Sequence, residues 1–139
     1  MQSDDPTVIR VLAVHTDDIV TALEANERRD TGTVLRVTPP FAGRMRARLH
    51  RAGHESPYGD PAPIHIDPAA LTDVPAFPTP DDVEDELRAS DEPYSPERHE
   101  AWYADAVERW RDAARAGVRD ELTISTPDGS HSVRISTLG

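Results

Sequence analysis

The residues able to do chemistry are few, and their types narrow the choice. Six histidines stand at positions 15, 50, 54, 65, 99 and 131. Two open the same tripeptide, His15-Thr16-Asp17 and His65-Ile66-Asp67, in which a carboxylate could orient an imidazole for metal binding or proton transfer. Each tripeptide also falls where a strand gives way to a helix, and there an aspartate is an ordinary helix cap. His15, Asp17, His65 and Asp67 are therefore weak metal candidates. His50 and His54 lie four apart, but at a strand end running into a loop, not on one helix face. The acid run 81–86 lacks the spaced ligands and central glycine of a calcium loop. With no cysteine in the chain, a thiolate zinc site, a cysteine nucleophile and a disulfide framework are excluded. There is no phosphate-cradling glycine loop and no Gly-x-Ser-x-Gly elbow. No cofactor is expected and the reading leans away from an enzyme, with a small metal-dependent enzyme built on the His-x-Asp pairs as its last alternative.

A stronger pattern lies in Arg44-Met45-Arg46-Ala47-Arg48-Leu49-His50. Side chains alternate along a strand, so Arg44, Arg46, Arg48 and His50 share one face while Met45, Ala47 and Leu49 take the other. Arg36, on a partner strand, can join the row. Guanidinium groups in a row meet carboxylates or phosphates bidentately and stack on planar groups. The plainer expectation is that they pair with acids of this same chain, such as Glu84, Asp85 or Glu86. Phe41, after Pro39-Pro40 at the hairpin tip, is a candidate apolar anchor for a partner, or else ordinary packing over the sheet end.

The elements that position these residues follow from periodicity. Residues 8–14 are apolar on both faces apart from Arg10 and predict a buried strand. Thr16 or Asp17 then caps a helix with Ile19, Val20, Leu23 and Asn26 at helical spacing, ended by Asp30-Thr31-Gly32. Strands 33–38 and 44–50 form a hairpin with a five-residue loop closed by Gly43. A short strand, 64–66, follows. Asp67-Pro68, Thr79-Pro80 and Ser95-Pro96 each place a capping side chain before a proline suited to the first helical position. They predict a short turn through Leu71, a helix 81–89 and a long helix from Pro96 to about Gly117. The last carries the stripe Tyr103, Val107, Trp110, Ala114 and Val118. Strands 122–126 and 131–136 close the chain as a second hairpin around 127–130. The order predicts an α+β fold: a mostly antiparallel sheet from the N-terminal strand and two hairpins, with helices on one face. One domain, 1–139, is expected, with 1–6 a disordered tail and 52–63 and 73–80 loops.

The chain has 139 residues, 15 basic and 26 acidic, for a formal net charge of −11. Every basic residue is arginine; there is no lysine. The charge is uneven: residues 32–66 carry five arginines against two acids, while the regions on either side are both strongly negative. Such a composition resembles proteins of salt-loving archaea, in which carboxylates hold water and cations in concentrated salt. The hairpin 34–50 and the closing residues 133–139 resemble a small haloarchaeal family of uncharacterised proteins, which brings no activity with it. No run reaches the ~18–20 apolar residues of a membrane span, and the acidic start is unlike a signal peptide. A cytoplasmic protein is expected, without membrane contact.

The expected function is a non-enzymatic binding protein that uses hairpin 33–50 to contact a protein partner or a second copy of itself. Nucleic acid is the alternative ligand of the same hairpin. Magnitude weighs against it: with about four phosphate contacts, moving from ~0.15 M to ~3 M salt forfeits roughly four to five decades of affinity. Stacking would have to compensate, and only Phe41 and Tyr58 are near.

Overall fold

The computed structural model describes residues 2–51 and 62–139. Six strands form one sheet in the order β4-β2-β3-β1-β6-β5. These are β1 (Val11–His15), β2 (Thr33–Val37), β3 (Arg44–Arg51), β4 (Ile64–Ile66), β5 (Glu121–Thr126) and β6 (Gly129–Leu138). Three of the five pairings are antiparallel, β2 with β3, β2 with β4 and β5 with β6. β1 lies between β3 and β6 and is parallel to both. Its run of apolar residues suits the central place, between two neighbouring strands. Leu12, Ala13 and Val14 are all buried.

The expected strand at 8–14 starts later. Asp5 caps a 3₁₀ turn, Pro6–Val8, through the Thr7 amide, and pairing begins where the amides of Arg10 and Val11 both donate to the Gly43 carbonyl. The segment expected to be a free tail is also tied down. Ser3 and Phe41 exchange two backbone hydrogen bonds of 2.7 Å.

Helix α1 (Thr16–Arg29) lays Ile19, Val20, Ala22 and Leu23 against β1, β2 and β3. Neither Thr16 nor Asp17 caps it. His15 occupies the N-cap position without a side-chain bond, and Asp17 and Asp18 sit in the first turn, where the helix dipole favours them. Asp30, at φ 50°, closes the helix on the Asn26 carbonyl. Asn26 lies at the end of the apolar stripe because its amide clasps the β2 start, accepting from the Thr33 N–H and donating to the Thr33 carbonyl.

All three proline starts form as read. Asp67 accepts from the Ala69 amide, Thr79 from Asp82 and Ser95 from Arg98. They open a 3₁₀ turn (Pro68–Ala70), α2 (Pro80–Ala89) and α3 (Pro96–Ala116). Val107, Trp110 and Ala114 are the buried residues of α3. The loop 73–80 is held against this helix by Trp110 and Tyr103, which donate to the Pro75 and Pro78 carbonyls. Trp102 is not in the core; its indole N–H donates to Glu92. α3 packs on α1 and α2 on α3, so the helices gather on one side of the sheet.

The closing hairpin is tighter than expected. Pairing runs to Thr126↔Gly129, leaving Pro127 and Asp128 as the turn, and Gly129 takes a φ of 113° that a side chain would resist. Leu122 and Val133 face each other. The sheet curls until its edge strands β4 and β5 line the same cleft of about 570 Å³, with Phe41 in its wall. No helix among the described residues is long and apolar enough to cross a membrane.

Candidate functional site

The face of the sheet away from α1 is built by alternation and register. Along β3 the residues Arg44, Arg46, Arg48 and His50 fall on it, as the sequence predicts. Arg36 stands directly opposite Arg48, and His65 of β4 stands opposite Arg36. Because β1 is parallel to both neighbours, the face continues across it onto β6. Val11 lies between Arg44 and Arg134, and Ala13 between Arg46 and Ser136. His15 shares the face by alternation. Five arginines therefore stand on one surface: Arg36, Arg44, Arg46, Arg48 and Arg134. The only acid in these strands on that side is Glu121, opposite Arg134 in register.

None of the five arginines has an ion pair among the described residues, in a chain with 26 acids. The acids expected to neutralise them are elsewhere. Glu84 pairs with Arg88 on its own helix. Glu24 holds Arg28 and Arg111, Asp17 meets Arg115, and Asp73 meets Arg119. Internal pairing with Glu84, Asp85 or Glu86 is thus replaced by an open row. Arg36 and Arg48 face each other as like charges, an arrangement that costs stability in a sheet. Arg46 adds a second cost, since its Nε is buried and has no hydrogen-bond partner. The like-charge cost falls away when an acceptor of two parallel N–H bonds, a carboxylate or a phosphate, lies across the row.

Phe41 does not join this surface. It is 1% exposed and belongs to the main core. The hairpin tip folds back because both backbone groups of Phe41 bond to Ser3, which turns the ring over the sheet end. Its role as an exposed apolar anchor is excluded. On the inner side, Met45 and Ala47 meet the core, but Leu49 is 42% exposed.

The His-x-Asp pairs separate. His15 Nδ1 lies 3.3 Å from the Leu138 carbonyl, while Asp17 bonds Arg115. Asp67 is engaged in its cap, and the ring of His65 lies 5.5 Å from that of His50. His99 meets the Pro80 carbonyl and His131 the Ile9 carbonyl. His54 and Tyr58 lie outside the described residues. Among the described residues, no three His, Asp or Glu side chains gather to hold a metal ion.

Arg134 and His15 were missed as members of this face because nothing local says that β6 and β3 flank the same strand. The available signal was Arg134 itself, a lone cation alternating with Val133 and Ile135.

Compared with known families, the chain matches one model over residues 1–139, a domain of unknown function, DUF8009. No curated protein and no solved structure matches it.

Proposed function

The chain belongs to that family along its whole length, and we propose that it is a non-enzymatic binding protein whose arginine sheet face contacts a carboxylate-rich protein surface. The observation that carries this reading is the row Arg36, Arg44, Arg46, Arg48 and Arg134, without ion pairs among the described residues of an acidic chain. A two-fold dimer through this face would set arginines against arginines, so the face fits a different, acidic surface. The whole chain repels such a partner at long range. Salt screens that repulsion beyond about 10 Å, while bidentate contacts act within it. Nucleic acid fits less well, because among the described residues the face offers arginine, histidine, serine and apolar side chains but no Phe, Tyr or Trp on which bases stack.

The reading includes a salt-adapted source and a cytoplasmic setting, supported by the lysine-free, acid-rich composition. On that reading, dilute buffer removes the screening between carboxylates and the far-ultraviolet circular dichroism loses helical signal that molar KCl restores. An unchanged spectrum contradicts the salt-adapted reading. The binding itself is tested by pull-down in molar KCl from a lysate of the source cells, with and without nuclease. A protein retained after nuclease and lost with Arg44→Gln/Arg46→Gln/Arg48→Gln is the expected result. Retention by the triple variant, or loss on nuclease treatment, overturns it.

A further inference from the structure

A second arginine cluster lies on the helical side, away from the sheet face. One side of α1, the C-terminal part of α3 and the end of β3 line an open cavity of about 660 Å³. Its wall carries Arg28, Arg29, Arg51, Arg111 and Arg115 against two carboxylates, Glu24 and Asp17. The cavity volume lies within the ~300–1,000 Å³ of small-molecule sites.

The carboxylates do not exhaust the arginines. Glu24 takes Arg111 in a bidentate pair at 2.7 and 2.9 Å and also accepts from Arg28 at 2.8 Å. Asp17 takes Arg115, which also meets Asp112, while Arg111 also meets Glu108. Arg29 and Arg51 have no hydrogen bond or ion pair among the described residues, although both line the cavity. They come from a helix end and a strand end, two elements that meet only in the folded chain. The Thr21 hydroxyl lines the same wall. Two guanidinium forks without a partner among the described residues, beside three held by Glu24, Glu108, Asp17 and Asp112, suit a ligand with at least two negative charges and several acceptor oxygens.

We infer that this cavity is a binding site for a small phosphate-bearing anion. A phosphate group brings nearly two charges and three strong acceptors in a compact shape, and guanidinium forks recognise it bidentately. The cavity lies on the helical side of the molecule, so the site is separate from the sheet face.

The test is isothermal titration calorimetry on the full chain at constant KCl, with inorganic pyrophosphate as the probe and citrate in parallel. Pyrophosphate is expected to bind with one site per chain, and citrate at least about tenfold more weakly. Arg29→Gln/Arg51→Gln, which breaks no ion pair among the described residues, is expected to weaken pyrophosphate about tenfold or more with an unchanged circular dichroism spectrum. Glu24→Gln removes a competing charge and releases Arg28 and Arg111, and is expected to tighten binding about three- to tenfold. Arg44→Gln/Arg48→Gln on the sheet face is expected to leave it unchanged, which separates this site from the protein-contact surface. No heat up to about 5 mM pyrophosphate, equal binding of citrate, or full binding by the folded Arg29/Arg51 double variant overturns the inference.

Discussion

Replacing Phe41 with alanine separates a structural hairpin tip from an interacting one. The ring is 1% exposed and sits among the main core residues, with its backbone bonded on both sides to Ser3. Truncating a buried phenylalanine costs about 3–5 kcal/mol, the transfer of the ring plus the cavity it leaves. Phe41 also forms part of the wall of the cleft between β4 and β5, so water can reach the vacated space and the cost should fall near the low end, about 3 kcal/mol. For a domain of this length each kcal/mol lowers the melting temperature by about 3–5 °C. The expected shift is therefore about 9–15 °C, read as a thermal melt by circular dichroism at fixed KCl. Leu49→Ala on the same hairpin is the control. That side chain is 42% exposed, and its truncation should cost less than about 1 kcal/mol. A Phe41→Ala shift under about 3 °C, or one no larger than that of Leu49→Ala, would refute the burial on which the reasoning rests and restore Phe41 as a surface anchor.

Three further perturbations probe separate parts of the account. Arg111, and after it Arg28, hold the Glu24 carboxyl below its usual range of about 4.5. A depressed carboxyl contributes stability above its unfolded pKa and loses it as pH falls through the folded value. Glu24→Gln should thus cost about 1 kcal/mol at pH 7, a figure reduced for the partial exposure of Arg111, and less near pH 3; urea unfolding at the two pH values measures it, and an equal cost at both contradicts an ionic origin. Gly117→Ala places a methyl group against the Asp73 carbonyl, beside the Thr72–Val118 bridge, and should cost about 2–3 kcal/mol; a neutral result in chemical denaturation would show that this approach is looser. Arg46→Met removes a buried donor that has no partner and should leave stability unchanged or raise it by up to about 1 kcal/mol; a clear loss in the same assay would mean that the guanidinium is satisfied.

Local chemistry made most elements legible. The Asp-Pro, Thr-Pro and Ser-Pro starts placed one turn and two helix origins to within a residue, because cap and proline act within one turn. Alternation placed Arg44, Arg46 and Arg48 together, because period two is a property of one strand. What failed was set by long-range pairing. Nothing in residues 11–15 says that their neighbours are both parallel, so Arg134 could not be added to the row. Phe41 reads as a loop tip from its prolines, and only its pairing with Ser3 turns it inward. The cavity arginines Arg29, Arg51 and Arg111 are far apart in the chain and converge through the packing of α1 on α3 and the sheet.

The central claim is that the sheet arginines recognise carboxylates presented by a protein. Its most direct measurement is fluorescence anisotropy of a labelled polyglutamate peptide, with labelled oligothymidylate in parallel, titrated with the chain in ~0.5 M KCl. The account predicts saturable peptide binding that is stronger than oligonucleotide binding and falls at least about tenfold in Arg44→Gln/Arg46→Gln/Arg48→Gln with the fold intact. Equal peptide affinity in the triple variant, or tighter binding of the oligonucleotide, would contradict it.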